Sequence, residues 1–223
     1  MRKPMNKTRN DLKRTLSCTE ISSKERQLIY ITRKISAFSW YLVDLFSCKL
    51  NGIAAIYERS IDKEYKREYG IVKFSKEDKV LHIGCGAYPL TDITLAVIPK
   101  VQHIIGIDNK TDIVKLAQKI VDKKNLQKQI KIEYGDGQHY SVSDFDVIII
   151  SSCSWPTIPI LEKIFQTSKK GSKIIVRELD FAIGPVIRCI RSHKNIEIKQ
   201  RLYHRPFPFF EPFGWQSFFL VKK

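Results

Sequence analysis

The residues of this chain best suited to chemistry follow three short apolar runs. After 79–83 come Gly84, Cys85 and Gly86; after 103–107 come Asp108 and Asn109; after 130–134 come Gly135, Asp136 and Gly137. Glycines at such places let the backbone turn sharply and approach a ligand closely. Asp108 stands 22 residues beyond Gly86 and presents a carboxylate that can accept both hydroxyls of a ribose. Asp136 can take the amino group of an adenine, so three successive strand ends carry the parts of an adenosine site. The expected contacts are Gly84, Cys85, Gly86, Asp108, Asn109, Asp136 and Gly137, with Ser151 after a fourth apolar run.

The rest of the first loop narrows the ligand. A dinucleotide pyrophosphate calls for a third glycine and helix N-terminal amides, but Tyr88 and Pro89 occupy this stretch. There is no Gly-Lys-Ser/Thr loop for a P-loop nucleotide. S-adenosylmethionine has no phosphate and needs room for a methionine tail, which tolerates bulk where a dinucleotide does not.

These loops must sit on regular elements. The pattern predicts strands at 79–83, 103–107, 130–134, 146–151, 172–176, 196–203 and 216–221. It predicts helices at 91–96, 111–123, 156–167 and 181–191. Strands alternating with helices specify an α/β fold with a mostly parallel seven-stranded sheet covered on both faces. The last two strands have no helix between them and are expected to form an antiparallel pair at one edge, joined by a loop carrying Phe207, Phe209, Phe210 and Phe213. In such sheets ligands bind beyond the carboxyl ends of the strands, where the strand order switches.

Upstream, residues 1–20 read as a flexible basic arm and 21–70 as a helical cap, with the ligand-binding domain at 71–223. Leu28, Ile31, Ile35, Phe38, Leu42 and Leu45 recur at spacings of three and four, an apolar stripe expected to pack on the main domain. Asn51-Gly52 breaks this helix, and a second runs over about 53–69.

Across 70–223 the three-loop pattern resembles the class I S-adenosylmethionine-dependent methyltransferases, a Rossmann-like fold. The resemblance implies that Gly84 and Gly86 hold the methionine part, Asp108 the ribose and Asp136 the adenine. The stretch IGCGAYPLTDITLA is similar to the Gly-x-Gly-Pro-Leu-Pro-Leu-Thr loop of nicotianamine synthases and related opine-metallophore enzymes. Pro89, Leu90 and Thr91 match that loop, whereas Ala87 and Tyr88 depart from it. KIIVRELDF and the closing QSFFLVKK echo the same branch. It implies transfer of the 3-amino-3-carboxypropyl arm of S-adenosylmethionine to a small amine or amino acid, with release of methylthioadenosine. It also implies an upstream glutamate as proton acceptor, for which Glu68 is the match by spacing, and a methionine end shaped by Tyr88. The cap is shorter than usual for that branch. The alternatives are methyl transfer to a small molecule, protein or RNA, and a non-catalytic cofactor-binding module. Cys153 as a nucleophile has no supporting motif, and His139 reads as a loop histidine.

Bulk properties constrain these readings. The chain has 223 residues, 43% of them hydrophobic, enough for one sizeable domain. Its 39 Lys and Arg against 23 Asp and Glu give a net charge of +16, which favours polyanionic partners such as RNA, although no aromatic-basic motif accompanies it. Five cysteines without a Cys-x-x-Cys pair suggest free thiols in a reducing, cytoplasmic setting and no metal site. Asp44 and Lys49 interrupt the apolar stretch 35–56, which argues against a membrane span.

Overall fold

The computed structural model describes residues 23–205 and 214–223. Two helices lead, α1 (Ser23–Lys49) and α2 (Asn51–Ile71). There follow β1 (Lys79–Ile83), α3 (Leu90–Ala96), β2 (His103–Asp108), α4 (Thr111–Lys123) and β3 (Ile130–Tyr134). The chain continues through β4 (Val147–Ile150), α5 (Thr157–Thr167), β5 (Lys173–Leu179), α6 (Ile183–Ser192), β6 (Ile196–His204) and β7 (Trp215–Lys222). The sheet order is β3-β2-β1-β4-β5-β7-β6. Strands β1 to β5 run parallel, and β7 pairs antiparallel with both β5 and β6. This is a Rossmann-like methyltransferase fold. The order reverses between β1 and β4, which opens the crevice in front of their carboxyl ends.

Both faces of the sheet are buried, so its central strands are largely apolar, β4 entirely so. Leu81, Ile148 and Ile150 pack against Leu161 and Phe165 of α5 and Val186 of α6. On the other face Val80, Val147 and Ile149 meet Leu95 of α3 and Ala117 and Val121 of α4. Strand β5 runs past its apolar residues to include Arg177 and Glu178, both buried, because each has an oppositely charged partner on the cap.

The cap helices form as expected, but the first four residues of the expected α1 stripe face away from the domain, and only Leu42 and Leu45 are half-buried. Leu28, Ile31, Ile35 and Phe38 are 66, 48, 62 and 61% exposed. The face toward the domain carries Ile29, Arg33, Trp40, Asp44 and Ser47. This face carries polar anchors beside its apolar contacts. Arg33 pairs with Glu178 of β5, and Asp44 accepts the Ala87 amide at 3.0 Å. Helix α2 instead buries Ala54, Tyr57, Ile61, Glu64 and Glu68, one stripe at helical spacing. The basic arm at 1–20 and the phenylalanines at 207, 209, 210 and 213 lie outside the described residues.

Candidate active site

Two adjoining cavities open at the carboxyl ends of the parallel strands. The outer one is a groove lined by Gly84, Gly86, Asp108, Asn109, Asp136 and Gly137. Gly84 and Gly86 have φ of +81° and +70°, left-handed conformations that favour glycine. A Cβ on Gly86 would stand 2.5 Å from Asp44 Oδ2, and one on Gly84 would collide with Ser154 Oγ. The turn is held by Ile107, whose carbonyl accepts the amides of Gly84 and Cys85 at 2.9 and 3.0 Å. Asp108 accepts the amides of Gly86 and Lys110 at 3.3 and 3.1 Å, while burial raises its pKa. Asp136 accepts the Gln138 amide at 2.9 Å, which lowers its pKa, and lies 3.0 Å from His139 Nδ1. Gly137 is packed under Ile83, where a Cβ would come within 2.7 Å.

The inner cavity has an empty volume of about 600 Å³ including its opening. The cap supplies Trp40, Asp44 and Tyr57 to its wall, and the sheet supplies Ser151, Arg177 and Trp215. Asp44, Gly84, Gly86 and Cys153 border both cavities, so the two meet at the glycine loop. Burial pushes the Asp44 carboxyl up to about 7, against the opposing amides of Tyr88 and Ala87. Burial also pushes the Cys85 thiol well above its ordinary range. The buried indole N–H of Trp215 has no partner among the described residues.

Of the residues expected from sequence, Gly84, Gly86, Asp108, Asn109, Asp136 and Gly137 come together in the groove, whereas Cys85 and Ser151 line the inner cavity. Glu68 does not line either cavity. It is fully buried and accepts Arg177 Nε at 3.0 Å and Nη2 at 2.7 Å, together with the Ser217 hydroxyl. Arg177, held also by Thr91 Oγ1 at 2.7 Å and stacked 4.0 Å from the Tyr65 ring centroid, is the group that reaches the cavity. Glu68 therefore positions Arg177 and is not placed to take a proton from a ligand. Tyr88 is 4% exposed and its hydroxyl donates to Glu58 of α2 at 2.6 Å. Its ring borders the inner cavity 6.0 Å from Tyr57, so the tyrosine ties the glycine loop to the cap. Asp44, Arg177 and Trp215 were not singled out from sequence. The available signals were an acid interrupting an apolar helix and a charged pair, Arg177-Glu178, continuing an apolar strand.

Among the described residues, no cluster of three or more His, Cys, Asp or Glu could hold a metal, and no helix is long and apolar enough to cross a membrane. The family model described as protein-L-isoaspartate(D-aspartate) O-methyltransferase (PCMT) matches residues 63–199, more than half of the chain. A curated relative, demethylmenaquinone methyltransferase of Lactobacillus johnsonii, is 26% identical over 129 residues. That match spans 55% of this chain and about half, 52%, of the relative. Among solved structures, a Glu-to-Gln variant of MtNAS in complex with S-adenosylmethionine has a TM-score of 0.69 at 15% identity, covering 90% of this chain and 80% of that one. MtNAS in complex with MTA and tNA has a TM-score of 0.71 at 16% identity, covering 91 and 78%. At these identities the likeness is one of fold.

Proposed function

On the premise that this chain belongs to the protein-L-isoaspartate(D-aspartate) O-methyltransferase (PCMT) family, we propose that it moves the 3-amino-3-carboxypropyl group of S-adenosylmethionine to a small amine or amino acid held beneath the helical cap. The chain is an S-adenosylmethionine-dependent transferase of the methyltransferase superfamily. The cofactor supplies an electrophilic carbon on a sulfonium centre that departs as a neutral thioether.

The residues fit that cofactor. Gly84 and Gly86 form a cradle that a Cβ would fill, Asp108 offers a carboxylate to ribose hydroxyls, and Asp136 one to an adenine amino group. Asp44, on the border of both cavities, supplies negative charge for a sulfonium or an acceptor ammonium. Arg177 and the Trp215 N–H, which has no partner among the described residues, suit a carboxylate, which both the aminocarboxypropyl arm and an amino-acid acceptor carry.

The observation that carries the choice of acceptor is the cap. Residues 23–62 lie outside the PCMT match, yet they supply Trp40, Asp44, Tyr57 and Ile61 to the inner cavity. A pocket walled by a cap suits a small acceptor better than a protein chain or RNA. The fold likeness to MtNAS covers 90% of the chain, and MtNAS has been solved with MTA. Methyl transfer is the second reading, favoured by the PCMT match and the methyltransferase relative. A cytoplasmic setting goes with either.

The test is to incubate the purified protein with S-adenosylmethionine and a pool of amino acids and identify the nucleoside product by mass spectrometry. Methylthioadenosine above the non-enzymatic background supports aminocarboxypropyl transfer. S-adenosylhomocysteine sinks that choice in favour of methyl transfer, and binding with neither product points to a non-catalytic cofactor-binding module.

A further inference from the structure

One wall of the inner cavity carries a line of three groups, His82 and Ser151 bordering the cavity and Asp92 buried behind them. His82 of β1 places Nδ1 2.9 Å from Asp92 Oδ2 and Nε2 2.8 Å from Ser151 Oγ. His82 is 1% and Asp92 0% exposed, while Ser151 is half-buried and lines the cavity. The geometry comes from the fold. His82 and Ser151 sit on neighbouring parallel strands, where His82 is in register with Ile149 and Ser151 follows β4 at its cavity end. Asp92 stands in the first turn of α3, directly after the glycine loop.

We propose that Ser151, His82 and Asp92 form a proton relay that takes the proton released by the acceptor during transfer. A carboxylate beside one ring nitrogen fixes the imidazole tautomer, so that Nδ1 carries the proton shared with Asp92 and Nε2 accepts from the Ser151 hydroxyl. The serine lone pairs are then free to accept an N–H from an amine in the cavity. As the new C–N bond forms, the carbon–sulfur bond breaks and sulfur keeps the bonding pair. The amine proton passes to Ser151 Oγ while the serine proton passes to His82 Nε2. Asp92 stabilises the resulting imidazolium, and its second oxygen, Oδ1, has no other partner among the described residues. Ser151 is the catalytic residue of the three; His82 acts through it and Asp92 positions His82.

The inference rests on the transferase reading but not on which group moves. Asp92 of α3 touches the imidazole, Asp108 of β2 interacts with it electrostatically, and the titratable groups that line the cavity with it are Asp44 of α1, Tyr57 and Tyr65 of α2, Arg177 of β5, Tyr88 and the thiols of Cys85 and Cys153. Asp44 is the rival proton acceptor.

The test compares wild type with Ser151→Ala, His82→Gln, Asp92→Asn and Asp44→Asn. Cofactor affinity is measured by calorimetry, turnover by nucleoside product, and the His82 Nδ1 proton by its downfield NMR resonance. Turnover in Ser151→Ala and His82→Gln should fall by about 10²–10⁴-fold, with a much smaller change in S-adenosylmethionine affinity. Turnover in Asp92→Asn should fall as in His82→Gln, because the tautomer held by the carboxylate is lost. The downfield resonance should vanish in both of those variants. Wild-type turnover in folded, cofactor-saturated His82→Gln or Ser151→Ala overturns the relay. So does turnover lost in cofactor-saturated Asp44→Asn but kept in His82→Gln, which would make Asp44 the acceptor. If wild type binds the cofactor yet makes neither nucleoside, the transferase reading fails and the relay falls with it.

Discussion

Asp44→Asn should stabilise the ligand-free protein at neutral and alkaline pH and leave its stability unchanged at acidic pH. Asp44 is 9% exposed, and burial raises its pKa from 3.8 to about 7. Below 3.8 the carboxyl is neutral in the folded and unfolded chains alike. Between 3.8 and 7 the unfolded chain ionises while the folded chain keeps its proton, so wild-type stability falls as pH rises through this window. Above 7 the loss is complete. At ~1.4 kcal/mol per pH unit the rise amounts to about 4 kcal/mol. This is an upper limit, because Asp44 borders two open cavities. Asparagine keeps an oxygen for the Ala87 amide, now accepted at 3.0 Å, and does not ionise. For a chain of this size the full effect corresponds to a Tm about 8–16 °C above wild type at pH 8, converging below pH 4. Calorimetric melts from pH 3.5 to 8.5 read this directly. Saturating S-adenosylmethionine should reverse the order at pH 8, because the sulfonium rewards a carboxylate and not an amide. Parallel Tm curves for the two proteins, or an equal cofactor-induced shift, would refute the assignment of Asp44 as a buried carboxyl facing a cation.

Three further substitutions probe the frame around this residue. Gly86→Ala forces a φ of +70° on alanine, costing about 1–2 kcal/mol, and drives Cβ toward Asp44 Oδ2 at 2.5 Å; calorimetry should show S-adenosylmethionine binding lost while the protein still melts cooperatively. Glu68→Gln leaves the 3% exposed Arg177 side chain without its countercharge and should cost about 3–5 kcal/mol in urea unfolding; unchanged stability would mean that the pair does not hold Arg177. Arg33→Met removes the partner of Glu178, whose pKa burial has already pushed up to about 7. The cost should be about 3–5 kcal/mol at pH 8 and smaller at pH 5, where Glu178 takes up a proton; an equal cost at both pH values would contradict this.

The order of elements was legible because local sequence and global fold agree in this domain. The run Val147 to Ile150 is buried at every residue, as a central parallel strand requires, and β1, α4 and β3 begin and end where their apolar periodicity does. The groove was legible for the same reason. Once the strands are known, the residues following each are fixed in space, and Gly84, Gly86, Asp108 and Asp136 need no long-range information to be brought together. Strand β5 read short because Arg177 and Glu178 look like a polar end, whereas Glu68 and Arg33 from the cap neutralise them in place.

The inner cavity was harder to read because pairing across the chain decides which side chains face it. Glu68 sits at the right distance in sequence from the glycine loop for a proton acceptor, but its partner is Arg177, 109 residues away. That pairing keeps the carboxylate out of both cavities, while the guanidinium lines the inner one. Asp44 reads in sequence as a polar interruption of an apolar helix, and the stripe of Leu28, Ile31, Ile35 and Phe38 suggests the wrong rotation for α1. The rotation that is found brings two polar attachments, Arg33 to Glu178 and Asp44 to the Ala87 amide, together with the apolar contacts of Ile29 and Trp40. Periodicity measures where apolar surface lies, not what a helix finds beneath it. Over the carboxyl ends of a parallel sheet it finds loops and amides as well as apolar side chains, so the buried face of α1 carries Arg33 and Asp44 beside Ile29 and Trp40.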